Sequence, residues 1–403
     1  MKQHILVVNC GSSSLKYKII ALPDSATLLN GTVTGIAEKQ GQHQLTLIQQ
    51  GNAETTQQQR HFADFEAAFA QMDQDLEQFL GSVADAELTA IGHRVVHGGT
   101  TFTQPARLTD QVVDEIAALT ELAPQHLPGN LQGIRLCLSR FADTPQLAVF
   151  DSAFHQSMPE HVYRYPVPQR WFTEFGIRRY GFHGSSHQYV ASEAASILNK
   201  PLSQLNLISL HLGNGDSACA IRQGRSVDTS MGFTPLEGLM MGSRSGDLDA
   251  SIPLYLQQKQ GLSAEEIAHQ LNFESGLQAI CQSHDMREIL SRAAQGEPDA
   301  ELALDMFIYH VRKYIGAYLI ALGEIDALIF TGGIGEHAEE VRARCCEGLE
   351  KFGLVLDQQR NLEADTSNAD ISHSHSPSRI LVIATDEELQ IARQVAEYLK
   401  SNT

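Results

Sequence analysis

Ile5-Leu6-Val7-Val8-Asn9-Cys10-Gly11-Ser12-Ser13-Ser14-Leu15-Lys16-Tyr17-Lys18-Ile19-Ile20 is the stretch that decides the fold. Ile5 to Val8 is a short apolar run and reads as a buried strand. Leu15 to Ile20 alternates apolar and polar residues and reads as a second strand. Asn9 to Ser14 is too polar and too rich in small residues to be anything but a tight turn. The same unit returns at 207–221: Leu207-Ile208-Ser209-Leu210-His211-Leu212, then Gly213-Asn214-Gly215-Asp216-Ser217, then Ala218-Cys219-Ala220-Ile221. Two copies of strand, Gly/Ser turn and strand, each opening an α/β half, predict a duplicated fold with a cleft between two domains.

Outward from these repeats, the spacing predicts a helix over 62–80, a strand running into glycines over 90–99, and a helix over 109–122 ended by Pro124 and Pro128. Gln146 to Asp151 reads as a strand with a carboxylate at its end, and the domain boundary is placed there. The first domain is expected to span 1–150 together with the last helix, 386–403, and the second to span 151–385. Helices are expected near 187–198, 263–272 and 299–322. Ala327 to Thr331 reads as a strand entering Gly332-Gly333-Ile334-Gly335, and Arg379 to Ala384 as the last strand. Residues 38–60 read as a solvated hairpin or loop, and 363–378 as loop. Thr385 with Glu388 fits a capping box.

The whole chain, 403 residues with 42% hydrophobic and 19% charged, has ordinary globular composition. Its net charge of −19 excludes nucleic acid and anionic membrane surfaces as natural partners, and leaves an anionic small substrate in need of a locally basic site. Six cysteines without a C-x-x-C pair fit neither a zinc knuckle nor a disulfide framework. The apolar run at Ile5 is too short for a signal sequence, and no stretch approaches the roughly 20 apolar residues of a membrane span, so a soluble cytoplasmic protein is expected.

Three glycine turns at strand ends offer backbone N–H groups that can converge on phosphate. Arg94, before Gly98-Gly99, and Arg244, in Gly242-Ser243-Arg244-Ser245-Gly246, are guanidinium groups placed among small residues, which suits a phosphoryl group. His183 could donate to an oxyanion. Asp151 and Glu387 could hold Mg²⁺ mostly through water. The His pairs at i, i+4 lack the glutamate of a zincin. Gly333-x-Gly335-x-x-Ala338 keeps a dinucleotide site, and with it an NAD-dependent oxidoreductase, as a competing reading. A nucleotide-sensing protein without catalysis is a third.

Taken together, Asn9 to Lys16, His93 to Gly99, Phe150 to His155, Arg179 to His187, His211 to Gly215, Asp228 to Gly238, Gly242 to Asp249, Phe330 to Glu336 and Thr385 to Glu388 resemble the acetate and propionate kinase family over nearly the full length. The resemblance implies an α/β fold of the duplicated actin-like ATPase type, shared with sugar kinases and Hsp70, with a C-terminal nucleotide-binding domain. It implies reversible transfer of a phosphoryl group from ATP to a short carboxylate with Mg²⁺ (or Mn²⁺), and a homodimer. By position, Ser12, Ser14 and Lys16 match the first phosphate turn, and Asn9 and Glu387 the metal side. Arg94, Asp151, His183 and Arg244 match the catalytic set, with His183 and Arg244 stabilising the transition state. His211, Leu212, Gly213, Asn214, Gly215, Asp285, Met286, Arg287, Gly333, Ile334 and Gly335 match the nucleotide side. Val96, Gln125, Phe182 and Pro235 match the acyl pocket. The chain departs from the family pattern at Asp216, where a small residue is usual, at Gln125, where leucine is usual, and at Ser243 for threonine.

Overall fold

The computed structural model describes residues 2–49, 51–82, 87–364 and 368–402. They form two compact units, Met1–Phe154 with Asp386–Thr403, and His155–Thr385.

The first unit is built on eight strands: β1 (Gln3–Cys10), β2 (Ser14–Leu22), β3 (Ala26–Thr34), β4 (Gly41–Gln49), β5 (Asn52–Arg60), β6 (Ala90–Val95), β7 (Ala106–Arg107) and β8 (Gln146–Phe150). Their order across the sheet is β5-β4-β3-β2-β1-β6-β8-β7. The second unit carries β9 (Asn206–His211), β10 (Ser217–Arg222), β11 (Arg225–Thr229), β12 (Ala327–Thr331), β13 (Ala369–Asp370) and β14 (Arg379–Val382), ordered β11-β10-β9-β12-β14-β13. The duplication is explicit in the pairing. In each unit three antiparallel strands, β3-β2-β1 or β11-β10-β9, continue into a parallel trio, β1-β6-β8 or β9-β12-β14. A parallel neighbour requires a crossover, which is why helices intervene before β6, β8, β12 and β14.

The central strands are buried on both faces and therefore read as continuous apolar runs. Residues 38–60 form a regular hairpin, β4-β5, rather than a loop. All nine β5 side chains are exposed, so no alternation marks the strand in the sequence. Residue 50 and residues 365–367 of the expected 363–378 loop lie outside the described residues; the described part of that loop includes β13.

Helix Phe65–Ser82 and helix Leu127–Arg140 cover the first sheet, and helix Glu387–Ser401 packs against β1 and β6. A Cβ at Gly92 would stand 2.8 Å from Ile391 and 2.9 Å from Val395, so only glycine lets that helix approach β6. The cap of this helix differs from expectation. Asp386 is the N-cap and accepts from the Leu389 N–H at 3.0 Å, while the Thr385 hydroxyl meets Ser186 instead.

Candidate active site

In the first unit the strand ends gather charge. Arg94 leaves the end of β6 and Asp151 follows β8, its neighbour in register. Arg94 donates to Asp151 through Nε at 3.0 Å and Nη2 at 2.8 Å, and its Nη2 lies 3.3 Å from Glu387 at the start of the last helix. Burial opposes the Arg94 charge, but Asp151 and Glu387 outweigh it and hold the pKa above the ordinary arginine value. Lys18 on β2 pairs with Asp386 at 3.0 Å and Glu388 at 3.4 Å. Burial raises the Glu388 carboxyl, yet Lys18 and Arg94 bring it below its usual value.

Four carboxylates face two cations in this cluster, leaving two excess negative charges. Among the described residues no three acidic, His or Cys side chains converge as direct ligands. The donor set therefore fits a divalent ion held largely by water and substrate, and not one caged by protein.

The first turn is closed by the Gly11 N–H donating to Ser14 O at 2.8 Å. Ser12 and Lys16 are exposed, and Asn9 and Ser14 half-buried. Asn130, buried in helix Leu127–Arg140, ties this region together: it donates to Cys10 O at 2.6 Å and accepts from the Val96 N–H at 3.1 Å. Gln125 is exposed.

In the second unit the site residues converge on Gly215. A Cβ there would lie 3.3 Å from Arg244 Nη1 and 3.7 Å from His183 Cε1. Arg244 donates to Pro235 O at 3.3 Å, and among the described residues it makes no ion pair. Burial lowers its pKa, with Asp216 opposing. A half-buried guanidinium that makes no ion pair among the described residues is poised for an incoming anion. His183 sits in the left-handed region at φ 56°, at the head of helix Gly184–Ile197, where a residue other than glycine is strained. Its ring lies 4.4 Å from that of His211, whose Nδ1 meets Ser186 Oγ at 2.8 Å. Phe182 is buried, and its carbonyl accepts from His155 Nε2 at 2.9 Å.

Several N–H groups of the glycine turns are spent on internal hydrogen bonds. The Gly213 N–H is taken by Asp216 Oδ1 at 2.5 Å. The Ile334 and Gly335 N–H groups are taken by Leu212 O, at 2.8 and 3.3 Å, and the Leu212 N–H by Thr331 O at 2.8 Å. Leu212, Ile334 and Gly335 thus knit β9 to β12 and cannot present those donors, while the Gly332 N–H goes to Glu336 Oε1 at 2.9 Å. The Met286 side chain is buried in the core of the second unit. Asp285 caps helix Met286–Ala294 and pairs with exposed Arg287, whose hydrogen bonds pull the Asp285 pKa down to about 2. No role was expected for Asn130, Lys18, Glu336, Ser217 or His187; the last three lie inside the quoted motifs, but motif spacing does not say which partners their side chains bond.

Two α/β units, one with Arg94 held in ion pairs at a strand end and the other with a loop-borne Arg244 that makes no ion pair among the described residues, suit a phosphoryl-transfer protein. Comparison with known proteins carries this to a family. A family model described as the acetokinase family matches residues 4–393. An acetate kinase of Syntrophobacter fumaroxidans is 47% identical over 98% of this chain and 97% of its own, and one of Sulfurovum sp. is 48% identical over 97% of each. The structure of Porphyromonas gingivalis acetate kinase superposes with a TM-score of 0.92 at 37% identity, covering 98% of this chain and 100% of that one. A propionate kinase from Francisella tularensis gives 0.89 at 40% identity, covering 97% and 98%. The chain belongs to the acetokinase family, and the dinucleotide reading of Gly333 to Ala338 falls.

Proposed function

We propose that this chain catalyses reversible transfer of the ATP γ-phosphoryl group to acetate, giving acetyl phosphate and ADP, with propionate the nearest alternative acid. The observation that carries the reading is the contrast between the arginines. Arg94 is held by Asp151 and Glu387, whereas Arg244 is half-buried beside His183 and makes no ion pair among the described residues. A carboxylic acid with a pKa of about 4–5 is already ionised at pH 7, so attack needs no general base. The barrier is repulsion between an anion and a polyanion. Arg244 and His183 supply positive charge and an N–H donor to the transferred oxygens, and Arg94 orients the acid side. Asp151, Glu387 and Asn9 would hold Mg²⁺ through water; when bound, the ion neutralises phosphate charge.

Ser12, Ser14, Lys16, His211, Asn214, Gly215 and Gly333 complete the nucleotide side in this reading, and Val96, Gln125, Phe182 and Pro235 the acyl side. The family resemblance also supports a homodimer in the cytoplasm.

The test is a hydroxylamine trap with ATP, Mg²⁺ and a panel of acids from one to four carbons plus lactate and glycolate. Acetate-dependent hydroxamate is expected. Arg244→Ala should cut turnover at least ~10³-fold with an unchanged fold, on the scale of arginines that neutralise phosphoryl transfer. Signal confined to another acid would transfer the specificity to Gln125. No signal with any acid, from folded protein that binds ATP, would refute the reading.

A further inference from the structure

Behind His183 lies a buried hydrogen-bonded chain. His183 Nδ1 meets Ser217 Oγ at 3.0 Å, Ser217 Oγ meets His187 Nε2 at 2.8 Å, and His187 Nδ1 meets Ser209 Oγ at 2.9 Å. Ser217, His187 and Ser209 are each 0% exposed. Burial, with His155 and His211 nearby, lowers the His187 pKa well below its ordinary value, so its ring is neutral and carries one proton.

The chain can run in two directions. If it runs from His183 inward, His183 Nδ1–H donates to Ser217, Ser217 to His187 Nε2, and His187 Nδ1–H to Ser209. The Ser209 hydroxyl proton then has no acceptor among the described residues, because its one hydrogen-bond partner is His187. If it runs outward, Ser209 donates to His187 Nδ1, His187 Nε2–H donates to Ser217, and Ser217 donates to His183 Nδ1. All three protons are then used. A buried donor left without a partner costs about 1–3 kcal/mol, which decides the direction.

We propose that Ser209, His187 and Ser217 form an outward proton-donor chain that fixes neutral His183 as its Nε2–H tautomer. The edge of His183 that carries this proton is the one beside Gly215 and Arg244. The three are positioning residues, since each acts through His183. A neighbour is fixed by the same logic. His155 Nε2–H donates to the Phe182 carbonyl, so its Nδ1 accepts from Ser226 at 2.8 Å, and the residue preceding His183 is anchored as firmly as its ring. The function assigned to this tautomer rests on the proposed phosphoryl transfer; the tautomer itself does not.

The experiment is ¹⁵N NMR of histidine-labelled protein at pH 7.5, with His183 assigned by its loss in His183→Gln. The expected result is a protonated Nε2 and an unprotonated Nδ1. Ser217→Ala should shift both ¹⁵N resonances toward a tautomer mixture and lower kcat about tenfold, with KM for ATP and acid within twofold. His187→Gln, which can still donate to Ser217, should keep the wild-type His183 signature. A wild-type His183 protonated at Nδ1, or a Ser217→Ala signature identical to wild type, overturns the proposal whether or not the protein phosphorylates acetate. The expected signature in a protein without acid-dependent turnover would instead remove only the reading of its function.

Discussion

At Asp216 a carboxyl is fully buried in the second glycine turn. Its Oδ1 caps the Gly213 N–H, and its Oδ2 has no partner among the described residues. Burial pushes its pKa well above the ordinary value, with the Gly213 hydrogen bond and Arg244 opposing. Because the folded state holds this proton more tightly, the stability it contributes is present below the unfolded pKa of about 3.9 and is lost as pH rises through the folded value. Asp216→Ser is therefore expected to raise stability at pH 7, with a gain that shrinks toward pH 5. Denaturant unfolding at both values measures it. The same change frees the Gly213 N–H, so nucleotide should bind more tightly by titration calorimetry. Unchanged stability at both pH values would show that the carboxyl is solvated in solution.

Among the elements, helix Leu127–Arg140 is the one whose role the sequence conceals. Its Gly129 admits the Gly11 carbonyl, which would lie 2.5 Å from a Cβ, and its Asn130 joins the end of β1 to the residue after β6. Asn130→Ala removes the partner of the buried Cys10 carbonyl and of the part-buried Val96 N–H, at about 1–3 kcal/mol each. It should lower unfolding free energy by about 2–4 kcal/mol and raise KM for the acid through Val96 more than it lowers kcat. Loss below 1 kcal/mol would mean that water replaces both bonds. The contrast in legibility is physical. Buried parallel strands such as Ala327–Thr331 must be continuously apolar, and the repeated strand-turn-strand unit exposes the duplication. Hairpin and loop could not be told apart at 38–60 because nothing on β5 is buried, and the last helix begins at an Asp386 cap because Lys18 and Arg94 anchor its first acids. Arg94, Arg244, His183, Asp151 and Glu387 were visible as residue types in unusual company. Which glycine N–H groups remained open was not, since Leu212 O and Asp216 claim theirs through contacts that sequence spacing does not encode.

Across the whole molecule, buried neutral histidines set the acid limit of both units. His93 and His97 in the first unit, and His155 in the second, are each pushed down to about 4 by burial. His187 moves the same way. Geometry also fixes the His93 tautomer: Gln146 donates its amide N–H groups to Cys137 O and Phe141 O, so its Oε1 must accept from His93 Nε2–H at 2.8 Å. Above the unfolded histidine pKa of about 6.5 neither state is charged, and nothing is lost. Below it the unfolded chain takes up protons that the folded chain refuses, so stability falls with pH until the folded value near 4 is reached. At 1.36 kcal/mol per pH unit for each group, His93, His97 and His155 together should remove about 4 kcal/mol between pH 7 and pH 5.5. That is a large share of a typical stability of roughly 5–15 kcal/mol. Asp216 works in the opposite direction over the same window, so the measurement belongs in the Asp216→Ser background, by denaturant unfolding in half-unit steps. His155→Gln should then flatten the curve by roughly a quarter, its share among the four buried histidines. A stability profile flat from pH 7 to 5.5 would mean that these histidines reach solvent, and with it the neutral His187 on which the orientation of His183 depends.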